Sequence, residues 1–306
     1  MEGSRERLST DIAGIVLEHP VMNASGILGS EPEHIEILAG FGVSAIVTKT
    51  ITPKPRTGYE PPIVVELRNG GLLNAVGLAN PGIEIIPSLV ERARRIRRII
   101  IVSVGGSSER DFTEVAEIAE KSGANAVELN LSCPHTRGFG MDIGSDPADV
   151  ARVVGSVASI LRIPVIAKLG LSDRIIESAG KALEKGARAL TLINTLKALA
   201  VDIYSMKPIL TNIFGGLSGP PIHPIAVRVI YEIYREYKPE IIGVGGVSDW
   251  RDAAEFILVG ARAVQIGTTL LKKSDVVKDI LTGLERWLEE IGFRSIRDLI
   301  GYAVEF

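Results

Sequence analysis

The sequence predicts an α/β protein that forms one (β/α)8 TIM barrel, a single domain over residues 1–306. Short, nearly continuous apolar runs are typical of strands buried on both faces, and they recur at residues 45–48, 99–104, 126–129, 165–169, 189–193, 241–244 and 263–266. Amphipathic stretches with apolar residues three and four apart lie between them, at residues 88–98, 109–122, 147–161, 173–185, 224–237 and 249–259. Because strand and helix alternate without a linker, a barrel fits better than the alternative, a doubly wound sheet.

The boundaries of several predicted helices carry suitable capping residues. Asp146 precedes Pro147, a pair typical of a helix start. Gly123, Gly186 and Gly260 each follow a helix and lead directly into the next strand, where a left-handed residue is favoured. Each of these glycines begins a Gly-Ala-x-Ala pattern, so the same helix-to-strand connection recurs three times.

The composition excludes several classes of protein. The chain has 34 Lys and Arg against 37 Asp and Glu, 46% apolar residues and one Cys. These values do not fit a fibrous, a disordered or a disulfide-rich protein, and they provide no basic footprint for nucleic acid. The apolar runs are far shorter than the ~20 residues that span a bilayer, and the N-terminal sequence MEGSRERLST lacks an apolar signal region. We therefore expect a cytoplasmic protein that binds neither nucleic acid nor membrane.

Polar residues collect at one end of the predicted barrel. In a barrel, the loops that follow the strands build the functional site. The residues that follow six different strands are Lys49-Thr50, Asn130 with Cys133, Lys168, Asn194-Thr195, Gly245-Gly246 and Gly267-Thr268. The sequence therefore predicts a site at the carboxyl ends of the strands.

The last two strand ends have the form of a phosphate site. Gly243-Val-Gly-Gly-Val-Ser248 and Gly267-Thr-Thr269 place glycines where backbone N–H groups can approach an anion. The helix that begins near Asp249 would add the positive end of its dipole. The alternative is that these glycines only make tight turns, but two such motifs on adjacent strands favour phosphate.

Lys49 and Lys168 end apolar strands, where burial of an ammonium group is costly without an anionic partner. Alternatively, each side chain reaches solvent at the barrel rim. Because both lie beside the predicted phosphate site, we expect them to contact a ligand such as an electron-rich ring or a carboxylate. Asn130 and Asn194 also follow strands, and their amides suit a planar ligand with alternating carbonyl and N–H groups.

Cys133 is the only cysteine of the chain. It lies beside Pro134 and His135 in a polar loop, which makes it a candidate nucleophile or base, although a lone cysteine also serves as a small apolar residue. One Cys and four scattered His argue against a metal site such as zinc. The chain cannot hold an iron–sulfur cluster by itself, because such a cluster takes about four thiolates.

These residues together resemble the dihydroorotate dehydrogenases, flavin enzymes of pyrimidine biosynthesis with a (β/α)8 barrel. The resemblance covers nearly the whole chain. Its motifs are Asn23-Ala-Ser-Gly26, Lys49-Thr50, Asn74-Ala-Val-Gly-Leu-Ala-Asn-Pro-Gly82, Glu128-Leu-Asn-Leu-Ser-Cys-Pro134, Ile193-Asn-Thr195, Gly215-Gly-Leu-Ser-Gly219, Gly243-Val-Gly-Gly246 and Gly267-Thr268.

The resemblance implies that the cofactor is FMN and that its phosphate rests on Gly245, Gly246, Gly267 and Thr268. The residues implied around the rest of the flavin are Ser25, Lys49, Thr50, Ser103, Asn130, Lys168, Ile193 and Gly219. Lys168 would lie on the N1 side of the ring, where a positive charge favours the anionic reduced flavin.

The resemblance also implies dihydroorotate as the substrate. The residues implied to hold its carboxylate, carbonyls and ring N–H groups are Lys49, Asn74, Ala75, Val76, Gly77, Leu78, Asn130, Asn194 and Thr195. Cys133 would be the base that removes the C5 proton while C6 gives a hydride to FMN, which leaves orotate.

The cysteine base resembles that of the soluble enzymes. Lys207-Pro-Ile-Leu and Gly215-Gly-Leu-Ser-Gly-Pro-Pro221 resemble the form that passes electrons to NAD through a second subunit carrying FAD and an iron–sulfur cluster. A homodimer is implied as well. His135 and Ser103 stand where many relatives carry Asn. The His variant also resembles the pyrimidine-reducing domain of dihydropyrimidine dehydrogenase, so an uncharged pyrimidine is an alternative substrate. A non-catalytic barrel that binds FMN or phosphate is a third hypothesis.

Overall fold

The computed structural model describes residues 6–131 and 144–305. Its strands are β1 Thr10–Ile12, β2 Ile15–Leu17, β3 Val21–Asn23, β4 Ala45–Val47, β5 Val64–Glu66, β6 Leu72–Asn74, β7 Ile99–Val104, β8 Ala126–Asn130, β9 Val165–Leu169, β10 Ala189–Leu192, β11 Leu196–Ala198, β12 Val201–Asp202, β13 Lys207–Pro208, β14 Gly215–Ser218, β15 Ile241–Val244 and β16 Ala261–Ile266. Its α-helices are α1 Pro32–Gly40, α2 Ile86–Arg95, α3 Glu109–Ser122, α4 Pro147–Ala158, α5 Ile175–Glu184, α6 His223–Tyr237, α7 Trp250–Leu258, α8 Thr268–Lys272 and α9 Val276–Ile291.

The predicted barrel is confirmed. Within the described residues, eight parallel strands form one sheet in the order β3-β16-β15-β10-β9-β8-β7-β4. Each strand of this sheet pairs with the barrel strand that comes before or after it in the sequence. The one exception is the pair of β3 and β16, the first and last barrel strands of the chain. This is the order of a (β/α)8 barrel, and the doubly wound alternative is wrong.

Asn23 joins the first and last strands of this order. Its Nδ2 donates to the Val47 carbonyl at 2.7 Å, and its Oδ1 accepts from the Val47 N–H at 2.9 Å. The Ser44 N–H also donates to the Val21 carbonyl at 2.9 Å. The side-chain amide thus stands in for backbone pairing between β3 and β4, which explains a buried Asn in a three-residue strand.

Alternating residues of the strands face two different apolar layers. Small and large residues, among them Ala45, Ile101 and Ala126, fill the barrel interior together with Ile12 and Leu17 of the β1–β2 hairpin. The intervening residues pack against the surrounding helices. Because the hairpin packs with the interior layer, the apolar core occupies the barrel below the carboxyl ends of the strands and leaves those ends to polar residues.

An antiparallel sheet in the order β11-β14-β6-β5 accompanies the barrel. It has a small core of its own around Leu73, Ala75 and Leu210. The sequence did not predict this sheet or β3, because three-residue strands give too short a periodic signal. The helices α1 and α9 were not predicted either, although α9, with 16 residues, is long enough to show an amphipathic pattern. No helix within the described residues is both long and apolar enough to cross a membrane.

Candidate active site

A cavity lies at the carboxyl ends of the barrel strands, with about 1310 Å³ of empty space when the open solvent at its mouth is included. Its wall brings together most of the residues predicted from the sequence, which are Ser25, Lys49, Thr50, Asn74, Val76, Gly77, Leu78, Asn130, Lys168, Ile193, Asn194, Thr195, Gly219, Gly245, Gly246, Gly267 and Thr268. The accessory sheet adds Val64, Leu72 and Ser218, which the sequence did not predict. The wall therefore draws on every segment that the strand-end argument singled out.

Two predicted residues lie away from the cavity wall, and a third is not among the described residues. Ser103 is wholly buried behind Thr50, with its Oγ 2.9 Å from Thr50 Oγ1. Ala75 is 1% exposed and belongs to the core of the accessory sheet rather than to the wall. Cys133, with His135, lies outside the described residues.

A chain of hydrogen bonds fixes the polar side of the cavity. Asn130 Nδ2 donates to Thr50 Oγ1 at 3.0 Å, and Asn194 Nδ2 donates to Asn130 Oδ1 at 3.2 Å. The Thr195 N–H donates to Asn194 Oδ1 at 2.8 Å. Ser103 supports Thr50 from behind, so four strand ends hold these side chains in one orientation.

Lys49 is half-buried in the cavity wall. Burial lowers the pKa of its ammonium group below the ordinary lysine value, because desolvation disfavours the charged form. Within residues 6–131 and 144–305, no carboxylate pairs with it. An anionic ligand in the cavity would supply the charge partner that Lys49 lacks there.

Lys168 is only 3% exposed, so it does not reach solvent at the rim as the alternative supposed. Its Nζ donates to Ser25 Oγ at 3.0 Å and lies 3.5 Å from Glu128 Oε1. Gln265 bridges the pair, since its Nε2 donates to Glu128 Oε2 at 2.7 Å. Sequence reasoning missed Glu128 and Gln265, although a carboxylate inside the apolar strand β8 is itself an unusual signal.

The glycine-rich strand ends form a tight cradle. Gly245 and Gly246 have φ of +131° and +78°, and a Cβ on Gly246 would lie 2.7 Å from His223 Cβ and 2.8 Å from the Gly219 carbonyl. Thr268 Oγ1 donates to Ser218 Oγ at 2.8 Å on the same side of the cavity. Only glycine fits both the backbone conformation and the space at residue 246.

The helix that follows Gly246 is capped by its own carboxylates, and its dipole contribution to a phosphate site stays a prediction. Two carboxylates cap the start of α7. Asp249 Oδ1 accepts a hydrogen bond from the Arg251 N–H. Asp252 Oδ2 accepts hydrogen bonds from the N–H groups of Ser248 and Asp249. These N–H groups are therefore engaged within the chain. The glycine loops and Thr268 line the cavity on this side.

Comparison with known proteins identifies close relatives. The family model described as dihydroorotate dehydrogenase matches residues 7–288. A protein of Aeropyrum pernix named putative dihydroorotate dehydrogenase A (fumarate) is 49% identical over 98% of this chain and 98% of its own length. Proteins of Thermoplasma volcanium and Pyrococcus furiosus, both named dihydroorotate dehydrogenase B (NAD(+)), catalytic subunit, are each 44% identical over 97% of this chain and 99% and 98% of their lengths.

A solved structure shares the fold. The dihydroorotate dehydrogenase of Eimeria tenella in complex with ferulenol superposes with a TM-score of 0.86 over 99% of this chain and 90% of that chain. At 23% identity, this likeness concerns the barrel and its accessory elements rather than the details of the cavity.

Proposed function

The chain belongs to the dihydroorotate dehydrogenase family, and on that premise we propose that it is an oxidoreductase that converts dihydroorotate to orotate in de novo pyrimidine biosynthesis, with bound FMN as the hydride acceptor. The observation that carries the proposal is the arrangement of the cavity, which places a glycine cradle, a buried lysine and a half-buried lysine around one space. Each of these features suits a different part of the cofactor and substrate.

The cavity fits FMN on three grounds. The cradle at Gly245 and Gly246, which a Cβ would fill, suits a phosphate group. The apolar side chains of Ile193 and Val244 suit the faces of a flat ring. Lys168 provides a positive charge in a nearly water-free position, which favours a ring that becomes anionic on reduction. Bound FMN would supply the two-electron chemistry that amino-acid side chains lack.

The proposed cofactor contacts follow from these positions. Gly245, Gly246, Gly267 and Thr268 hold the phosphate, while Gly219 lies beside the same cradle. The remaining flavin contacts proposed are Ser25, Lys49, Thr50, Asn130, Lys168 and Ile193. Ser103 acts on this group only through its contact with Thr50.

The proposed substrate contacts lie on the side of the cavity formed with the accessory sheet. Lys49 pairs with the carboxylate of dihydroorotate, and the amides of Asn74, Asn130 and Asn194 bind its carbonyl and N–H groups. Thr195 and residues 76–78 complete the wall. Ala75, in the core of the accessory sheet, supports this segment from behind.

Cys133 is the proposed base, in the loop that continues from β8. Leu131, two residues before it in the chain, donates its N–H to the carbonyl of Lys168, a residue of the cavity wall, at 3.1 Å. The thiolate would take the proton from C5 of the substrate as the hydride leaves C6, so that the new C5–C6 double bond of orotate forms from the C5–H electron pair.

Lys49 favours dihydroorotate over an uncharged pyrimidine. A half-buried ammonium without a carboxylate partner among the described residues gains most from a ligand that brings its own negative charge. A neutral pyrimidine would leave this charge without a partner. The catalytically silent barrel is disfavoured because the cavity wall also holds amides suited to a substrate beside the cofactor.

The electron acceptor separates two versions of this function. The relatives carry names with either fumarate or NAD(+). We propose the NAD-linked version, with a homodimer of this chain joined to a subunit that carries FAD and an iron–sulfur cluster. The name "catalytic subunit" of the relatives supports a separate partner, and a chain with one Cys needs one for any such cluster.

The test of the function is orotate formation by the purified, FMN-loaded chain with an artificial electron acceptor. We expect turnover in the native protein and its loss in Cys133→Ala, with FMN still bound. Uracil or dihydrouracil as the preferred substrate pair would contradict the assignment. Turnover by this chain alone with fumarate as the electron acceptor would contradict the NAD-linked version. A monomeric mass in light scattering would contradict the homodimer.

A further inference from the structure

Glu128 lies behind Lys168 and is closed off from the cavity. Its side chain is 0% exposed, whereas Lys168 lines the cavity wall. Oε2 accepts hydrogen bonds from Thr191 Oγ1 at 2.9 Å and from Gln265 Nε2 at 2.7 Å. Oε1 lies 3.5 Å from Lys168 Nζ and has no hydrogen-bond partner within the described parts of the chain.

Stability alone does not account for this buried pair. Removing two charges from water is expensive, and replacement of such a pair by apolar residues is often neutral or stabilising. The incompletely satisfied Oε1 adds a further desolvation penalty. A carboxylate in this position therefore needs a role other than holding the fold together.

The role follows from the charge beside the cavity. Lys168 alone would present a full positive charge, and charges act strongly across a water-free interior. Glu128 offsets part of that charge from the side away from the cavity, so the ligand experiences a weaker positive field than Lys168 alone would give. Ser25 and Gln265 also contact Lys168 Nζ, so the ammonium keeps polar partners when Glu128 changes.

We propose that Glu128 is a positioning residue that holds and offsets the Lys168 charge and thereby sets the midpoint potential of the bound flavin. This inference rests on the proposed function, since it needs a redox cofactor in the cavity. A positive charge near the ring favours the anionic reduced form. Glu128 limits that preference and so keeps the reduced cofactor able to pass its electrons on.

The test is the midpoint potential of FMN bound to the Glu128→Gln variant, measured by anaerobic titration against a reference dye. The substitution keeps the shape of the side chain and removes its charge. We expect the ratio of affinities for reduced over oxidised FMN to rise at least about tenfold, which is an upward shift of about 30 mV for a two-electron couple.

Thr191→Val is the matched control. It removes one hydrogen bond to the same carboxylate and keeps the Glu128 charge. We expect its potential to stay at the native value even if its thermal stability falls. Equal shifts in the two variants would mean that Glu128 acts through packing, and an unchanged potential in Glu128→Gln would overturn the inference.

Glu128→Asp provides a second variant that retains a carboxylate, for use whether or not Glu128→Gln folds. The shorter side chain withdraws its charge from Lys168 Nζ, so we expect an upward shift smaller than tenfold in affinity ratio. A potential at or below the native value would contradict the inference. If the native protein takes up no FMN, the proposed function is refuted. That result differs from an unchanged potential in the Glu128 variants, which would refute only this inference.

Discussion

Asn194 donates a hydrogen bond from Nδ2 to Asn130 Oδ1 over 3.2 Å, which connects the ends of β10 and β8, the two strands on either side of β9, at the cavity wall. Asn130 in turn donates a hydrogen bond to Thr50, which follows β4. The two amides therefore act as one unit, and a change in either one releases groups on two strands.

Asn130→Ala tests this unit. The substitution removes both hydrogen bonds and leaves polar groups of Thr50 and Asn194 without that partner, at about 1–3 kcal/mol. We expect the Kd for FMN, measured by fluorescence titration, to rise about 10- to 100-fold. Ser103→Ala is the control, because Ser103 lies off the wall; a larger loss in that variant would contradict the placement.

Lys49→Met tests the proposed carboxylate contact. A charge-assisted hydrogen bond contributes about 1.5–3 kcal/mol, so KM for dihydroorotate should rise roughly 10- to 100-fold while FMN stays bound. Steady-state kinetics measure this change. Lys54→Met removes an exposed lysine nearby and should leave KM unchanged. A native KM in Lys49→Met would refute the contact.

The affinity for orotate should depend on pH through Lys49. Burial lowers the pKa of this lysine, so the free protein loses the Lys49 charge at a lower pH than an exposed lysine would. The affinity is full below this lowered pKa and falls as the pH rises through it. Orotate binding, followed by the flavin spectrum, requires no proton transfer by Cys133. The same alkaline decline in Lys49→Met would assign it to another group.

Gly246→Ala tests the cradle. The added Cβ meets His223 and the Gly219 carbonyl at under 3 Å, and the positive φ adds about 1–2 kcal/mol of backbone strain. We expect at least about tenfold weaker FMN binding by fluorescence titration. Gly14→Ala has a similar φ of +81° and open space around it, so it controls for strain alone. Equal FMN affinity in the two variants would contradict the cradle.

The sequence predicted the barrel because parallel strands that are buried on both faces form continuous apolar runs. Such runs can be recognised in the sequence without knowing which strands pair. The sequence also predicted the site at the strand ends, since the carboxyl ends of a barrel meet by topology. Lys49, Lys168 and Gly246 could be found in this way.

Other features depend on contacts that no local pattern encodes. The accessory sheet forms from segments far apart in the chain, and β3 is three residues long. The pairing of Glu128 with Lys168 joins two strands, and Asp249 and Asp252 accept hydrogen bonds from N–H groups at the start of α7. These contacts depend on which side chains the fold places next to each other in space.

The most direct measurement of the central claim is the visible spectrum of the purified, FMN-loaded protein before and after an equimolar amount of dihydroorotate is added without oxygen. We predict loss of the yellow flavin band and formation of orotate, with neither change in Cys133→Ala. A protein that binds FMN but keeps its yellow band, while an uncharged dihydropyrimidine bleaches it, would contradict the account.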